Sequence, residues 1–208
     1  MEHENNSESM EAKPKMIDDK KNLKRQRIKM YFLEAAKEII MNEGVENVSV
    51  RKVADIAGYS YATIYNYFAD LNDLLWDVKS VMINELVEVI QKRMHPVSYD
   101  IDGIKRLFRI YVAYYFENPN VFKFFYFHQV SKPNKKTENI EPNFEEMWKE
   151  TFKGFVLEGK LQEKNIEIVA KTFIYAIHGM IALSFSNNGD LTEENVYKDL
   201  EKIVDYLL

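Results

Sequence analysis

Apolar residues recur at helical spacing along most of the chain, and no segment alternates convincingly as a half-buried strand would. From about Asp19 to Asn42 the repeat is Ile28, Tyr31, Phe32, Ala35, Ile39 and Ile40, which predicts a long helix. Gly44 ends it, where a left-handed cap suits glycine. Ser49, Ser60 and Asp70 each precede a new helical start, where a side-chain oxygen can bond a first-turn amide. They predict two short helices and then a long one. Its stripe of Leu71, Leu74, Leu75, Val78, Val81, Met82, Leu86, Val89 and Ile90 runs up to His95-Pro96. A fifth helix is expected over about 100–117, with Asn118 placed to cap and Pro119 to start a sixth. Residues 131–143 read as a polar loop, and a seventh helix over about 144–158 stops at Gly159. An eighth, over about 163–186, is apolar on several faces and is expected to be largely buried. After a turn at 187–190, Thr192 caps a last helix striped by Val196, Leu200, Ile203, Val204 and Leu207. The pattern predicts an all-α fold of about nine helices.

Composition agrees with this and narrows the chemistry. Tyr and Phe, thirteen each, are plentiful, whereas seven Gly and five Pro are few for a turn-rich sheet protein. With no cysteine, disulfides, thiolate metal sites and a cysteine nucleophile are excluded. The four histidines are scattered without metal-ligand spacing, and neither a phosphate-cradling glycine loop nor a nucleophile–base pair can be placed. The expectation is therefore no catalytic site, no metal and no cofactor. No apolar run approaches the ~18 residues that span a bilayer, and the acidic, polar start is unlike a signal peptide. These features predict a soluble cytoplasmic protein with no membrane partner.

Net charge of −5 argues superficially against nucleic acid, but its distribution matters more. Residues 1–19 hold six acids against Lys13 and Lys15 and read as a disordered tail. Residues 20–29, KKNLKRQRIK, hold six bases and no acid, just ahead of the two short helices. Those short helices have the layout of a helix-turn-helix, whose second helix enters the DNA major groove. Ala54 supplies the small residue where the helices approach, and Gly58 the positive φ of the turn. Val50, Val53, Ile64 and Tyr67 are spaced as buried anchors. Tyr61, Ala62, Thr63, Tyr65 and Asn66 are left outward, where hydroxyls and amides can bond phosphates or base edges. The candidate DNA contacts are these five with Ser60, then Ser49, Arg51 and Lys52, and Lys24 and Arg27 of the basic run.

At these residues the chain resembles the tetracycline-repressor (TetR) family of bacterial transcriptional regulators. The resemblance rests on Ala35-Ala36, Ile39-Ile40, Gly44, Ser49-Val50, Val53-Ala54, Ala57-Gly58, Ser60, the run Thr63 to Phe68, and Asp73-Leu74-Leu75. It covers about 28–76, in order and without gaps. Leu71 departs from it, standing where the family commonly has a phosphate-touching lysine.

The resemblance implies a helix-turn-helix domain over 20–69 and a ligand-binding and dimerisation domain over 70–208. It implies a ligand-responsive repressor that binds a palindromic operator as a homodimer and is released by a small apolar or amphipathic effector. Aromatics concentrate in helices five to seven, too many for one helix face. An apolar or aromatic effector is expected against Tyr111, Tyr115, Phe122, Phe125, Tyr126, His128, Trp148, Phe152, Phe155 and His178. The dimer surface is expected on helices eight and nine, through Phe173, Ile177, Met180, Ile181, Leu200, Ile203, Val204 and Leu207. Gly179, costly by about 1 kcal/mol inside a helix, suggests close helix approach there. A helical protein-interaction module with a vestigial helix-turn-helix is the alternative, and the intact outward set at 61–66 argues against it.

Overall fold

The computed structural model describes residues 12–95, 98–132, 144–186 and 191–208. The expected tail over 1–11, most of the 131–143 loop and the turn at 187–190 lie outside the described residues. Among the described residues all regular structure is helical. The helices are α1 (Ala12–Glu43), α2 (Val50–Ala57), α3 (Tyr61–Ile64), α4 (Leu71–Arg93), α5 (Ile101–Glu117), α6 (Pro119–Tyr126), α7 (Phe144–Leu157), α8 (Ile166–Phe185) and α9 (Glu193–Leu207). Single 3-10 turns precede α2 and α8. The first helix starts at Ala12, so it takes in residues 12–19 of the expected tail.

Local chemistry sets most of these boundaries. Ser49 Oγ accepts from the Lys52 amide at 3.2 Å, and Thr192 Oγ1 from the Asn195 amide at 3.3 Å. At α4 the cap is reciprocal: Asp70 accepts from the Asp73 amide at 2.8 Å, and Asp73 reaches back to the Ala69 amide at 2.8 Å. The arrangement resembles a capping box, with aspartate in the glutamate's place and the return bond going to the residue before the cap. Two expected caps differ. Gly44 has φ 94° and ψ 157°, an extended conformation open to glycine and not the left-handed helical one. Asn118 makes no side-chain cap on α6; its amide instead donates to the Tyr114 carbonyl at 2.9 Å.

In the head, α1 lays Phe32, Ala35, Ala36, Ile39 and Ile40 against Val53 and Ala54 of α2 and Ile64 of α3. Behind it, α4 leads into a body in which α5 packs on α9, and α8 on both α7 and α9. Rings tie that body together. Phe108 of α5 meets Phe173 of α8 at 4.9 Å between centroids, and Phe173 stacks on Phe152 of α7 at 6.2 Å and 10°.

The eighth helix is not largely buried as its composition suggested. One stripe, Ala170, Phe173, Ile177 and Ile181, enters the core. The opposite face carries Ile168, Tyr175 and Leu183 at 60%, 68% and 48% exposure, with Gly179 among them. The stretch Glu163–Phe185 is in fact long and apolar enough to cross a membrane, against the expectation that no run would be. Its outward face accounts for that composition. The expected dimer contacts are corrected accordingly. Phe173, Ile177, Ile181, Leu200 and Val204 are at most 3% exposed inside their own chain, so they cannot meet a second one. Met180, Ile203 and Leu207 are half-buried.

Candidate nucleic-acid interface and ligand cavity

The helix-turn-helix is built from a few short-range constraints. Gly58 is left-handed, at φ 76° and ψ 26°, and its amide and that of Tyr59 close the last turn of α2 on Ala54 and Asp55. The chain then re-enters a helix at Ser60, whose Oγ accepts from the Thr63 amide at 3.3 Å and lies 2.7 Å from the Thr63 hydroxyl. Beyond Ile64 the turn continues to Phe68, through amides of Asn66, Tyr67 and Phe68 that bond the carbonyls of Thr63 and Ile64. Ile64 and Phe68 are buried, and Tyr67 packs on Phe32 at 5.6 Å, which makes these three scaffold.

Tyr61, Ala62, Tyr65 and Asn66 face outward, with Thr63 half-buried between them. Tyr61 and Tyr65 meet edge to face at 5.2 Å, and the Tyr65 hydroxyl donates to that of Tyr61 at 3.2 Å. This prearranges two hydroxyls on one surface, a geometry suited to phosphate oxygens. Lys24, Arg27 and Arg51 are exposed, and the Ser49 hydroxyl is engaged as a cap. Lys52 differs from the expectation in one respect, because its ammonium pairs with Glu43 of α1. The basic run also does something not foreseen. Arg25 donates to the Asn66 carbonyl at 2.7 Å and lies over the Tyr67 ring at 5.1 Å, so it holds the end of the α3 turn. The charge run signalled bases near the reading surface; it could not say which base points inward.

Head and body share helices. Lys29 pairs with Asp77 and Lys37 with Glu85, both at 2.6 Å, fixing α1 along α4. Asn120 of α6 donates to the Met41 carbonyl at 3.1 Å. Asn72, in the first turn of α4, exchanges two hydrogen bonds with the Ser131 backbone at 2.8 and 2.9 Å.

A cavity of about 780 Å³ lies between α4, α5, α6, α7 and α8. Of the ten expected lining residues, Tyr111, Tyr115, Phe125, Tyr126 and Trp148 form its wall. The other five do not. Phe122, Phe152 and Phe155 are no more than 2% exposed and spend their rings on neighbours, Phe122 on Tyr115, Tyr126 and Phe185. His128 packs beside Phe124 at 6.1 Å, away from the wall. His178 stands behind Tyr111, with Nε2 2.8 Å from its hydroxyl. The wall that sequence reasoning missed is α4: Ile83, Leu86, Val87 and Ile90 present their apolar side chains to the cavity. Leu86 and Ile90 belong to the apolar stripe the sequence shows on that helix, whereas Ile83 and Val87 lie outside it. Lys79 also lines the cavity, with Nζ 3.0 Å from the Phe125 carbonyl at the end of α6.

Burial sets the protonation here. It holds the hydroxyls of Tyr111 and Tyr115 protonated, well above the usual tyrosine range. It lowers the His178 pKa to about 4, which leaves the imidazole neutral at pH 7. Because the folded value lies below the unfolded one, the unfolded chain binds the extra proton between pH ~6.5 and ~4. Stability should therefore fall as pH drops through that window and level off below it. Discounted for partial exposure, the loss is on the order of 2 kcal/mol. Denaturant midpoints measured against pH check this, and His178→Gln should flatten the curve between pH ~6.5 and ~4. Among the described residues, no group of three or more His, Asp or Glu side chains could hold a metal ion.

Residues 32–77 match the model of the bacterial regulatory proteins of the tetR family. The match lies wholly within the head. No curated protein matches the chain in sequence. Solved structures share its fold at low identity. RolR, solved in complex with the ligand resorcinol, is 14% identical, with 88% of this chain and 89% of that one covered and a TM-score of 0.64. The fatty acid degradation regulator FadR from Bacillus halodurans is 14% identical, covering 85% and 93%, with a TM-score of 0.62. A TetR family transcription regulator from Marinobacter aquaeolei is 20% identical, covering 87% and 97%, with a TM-score of 0.56. Over residues 32–77 the chain is thus similar to the tetR regulators, and it shares the overall helical fold of these solved structures.

Proposed function

We propose that this chain is a ligand-responsive transcriptional repressor that binds a palindromic operator as a homodimer and is released by an apolar or amphipathic small molecule. The observation that carries the reading is the double role of α4. It is bonded to the head through Asp73, which accepts from the Ala69 amide, and through Asp77 and Glu85, which pair with Lys29 and Lys37 of α1, and from Lys79 to Gln91 it walls the cavity. A ligand that prefers one placement of α4 thereby biases the spacing of two heads. A differential affinity of about 1–3 kcal/mol is enough for such coupling.

Lys24, Arg27, Ser49, Arg51 and Lys52 are the phosphate-side residues in this reading, and Ser60, Tyr61, Ala62, Thr63, Tyr65 and Asn66 the groove-facing ones. One turn-length reading helix spans too few bases for specificity, so two copies related by a two-fold axis are required. The exposed face of α8 supports the pairing. It carries Ile168, Tyr175 and Leu183 with exposed Thr172 between the first two, and glycine stands near its middle.

Anisotropy of labelled DNA from the chain's own upstream region tests the phosphate side. Lys24→Ala and Arg27→Ala should each weaken binding at every sequence and flatten the log–log salt slope by about one unit. An unchanged slope in both variants removes the basic run from the interface.

A further inference from the structure

The basic run of α1 is divided by the helix that carries it. Arg25, Lys29 and Phe32 follow at spacings of four and three, so they share the face turned toward α3 and α4. Phe32 is buried on that face. Lys29 lies 5.5 Å from the centre of the Phe68 ring and pairs with Asp77 of α4 at 2.6 Å. Lys24 and Arg27 fall on other faces, exposed to solvent. Helical position thus separates a base turned to the protein from two turned away from it.

The backbone that Arg25 reaches is not held by helix bonds alone. The α3 helix is four residues, Tyr61–Ile64, too short to be stable by its own hydrogen bonds. Tyr65 and Asn66, two of the groove-facing candidates, stand beyond its last residue, in a turn closed on the Thr63 and Ile64 carbonyls. The Asn66 carbonyl accepts from Arg25 at 2.7 Å, across 41 residues of sequence. The same guanidinium lies over the Tyr67 ring, 5.1 Å from its centre, and Phe32 meets that ring at 5.6 Å. One cation therefore fixes the backbone at Asn66 and the side chain of the next residue. Basic side chains often bond the last carbonyls of their own helix. Here the bond is supplied from another one.

We propose that Arg25 is a positioning residue for DNA reading, which caps the α3 turn from α1 and sets the direction in which the Asn66 side chain leaves the backbone. The proposal rests on reading α3 as the groove-facing element. An amide recognises a base edge through a bidentate pair of hydrogen bonds, and a small rotation of its backbone forfeits them. Attraction to phosphate tolerates such a rotation, because it depends on charge more than on direction. Arg25 accordingly adds to discrimination between sequences, whereas Lys24 and Arg27 add to affinity for all of them. Lysine cannot take its place. A shorter, non-planar ammonium keeps the charge but cannot lie on the ring and reach the carbonyl together.

Anisotropy on the full-length protein, with DNA from its own upstream region and a scrambled duplex of equal length, tests this. Arg25→Ala should weaken the upstream DNA about tenfold and the scrambled duplex less than about threefold. Its log–log salt slope on the scrambled duplex should stay within about half a unit of the wild-type value. Arg25→Lys should lose nearly as much discrimination as Arg25→Ala. In an Asn66→Ala background, Arg25→Ala should cost less than about threefold on the upstream DNA, since the side chain it positions is gone. An equal loss on both duplexes, a slope flatter by about one unit, full rescue by lysine, or an undiminished loss beside Asn66→Ala overturns the proposal. Those results mark a phosphate contact or a head that no longer folds. Wild-type protein that does not distinguish the two duplexes removes the groove-facing reading of α3 and the proposal with it. Discrimination that Arg25→Ala leaves intact removes the proposal alone.

Discussion

Gly179→Glu is expected to leave the protomer folded and to convert the protein to a monomer that no longer holds its operator. The site separates two effects cleanly. Nothing lies within 4 Å of where a Cβ would stand, so the chain itself has room for the side chain. Replacing a mid-helix glycine should if anything help α8 by a few tenths to 1 kcal/mol. Any loss must then come from a second chain. If that chain packs against the face of Ile168, Tyr175, Gly179 and Leu183, a carboxylate at its centre is desolvated against apolar side chains. Dimer affinity should fall at least about 100-fold. Operator affinity should fall with it, because two half-sites held together bind far more tightly than either alone. Sedimentation and anisotropy on the same sample report both. A dimer that persists with its affinity intact places the interface elsewhere.

Phe152→Ala should cost about 3–5 kcal/mol of folding stability. The ring is wholly buried, stacks on Phe173, and lies 6.3 Å from Phe155 and 6.2 Å from Trp148. Through Phe173 it also leans on Phe108, so α5, α7 and α8 meet at one column of rings. Removing it empties a space that three helices cannot collapse into together. Urea midpoints measure the loss, and a cost below about 1 kcal/mol contradicts the packing described. Phe152→Leu, which keeps most of the volume, should leave ligand affinity within about threefold, whereas Trp148→Ala, on the cavity wall, should reduce it by about tenfold or more.

Most of the fold was legible because short-range chemistry fixes it. Ser49, Asp70 and Thr192 cap where the sequence put them, and Gly58 adopts the positive φ that the turn requires. The outward face of α3 was legible for a related reason. Once Ile64 and Phe68 are assigned inward, Tyr61, Tyr65 and Asn66 can only face out.

What failed was the choice between equivalent apolar faces. Helix α8 carries two such stripes, and periodicity alone does not say which one meets its own chain. Phe173, Ile177 and Ile181 went inward, and Ile168, Tyr175 and Leu183 stayed out. The same ambiguity divided the aromatics. Trp148 and Phe152 sit four residues apart on one helix, yet the first borders the cavity and the second is sealed beneath it. Both assignments depend on how distant helices pack, which no local window contains. Asn118 failed differently: its amide found the Tyr114 carbonyl, a competing local partner that cap statistics do not weigh.

The central claim, that this chain reads DNA through α3 as a symmetric pair, is tested most directly by footprinting the DNA around its own coding region. The account predicts one protected palindrome with half-sites about one helical turn apart. It further predicts binding that weakens steeply from ~50 to ~200 mM salt and that is lost in a Tyr65→Ala/Asn66→Ala variant of unchanged helicity. Protection without two-fold symmetry, or an affinity indifferent to both salt and those two side chains, would contradict it.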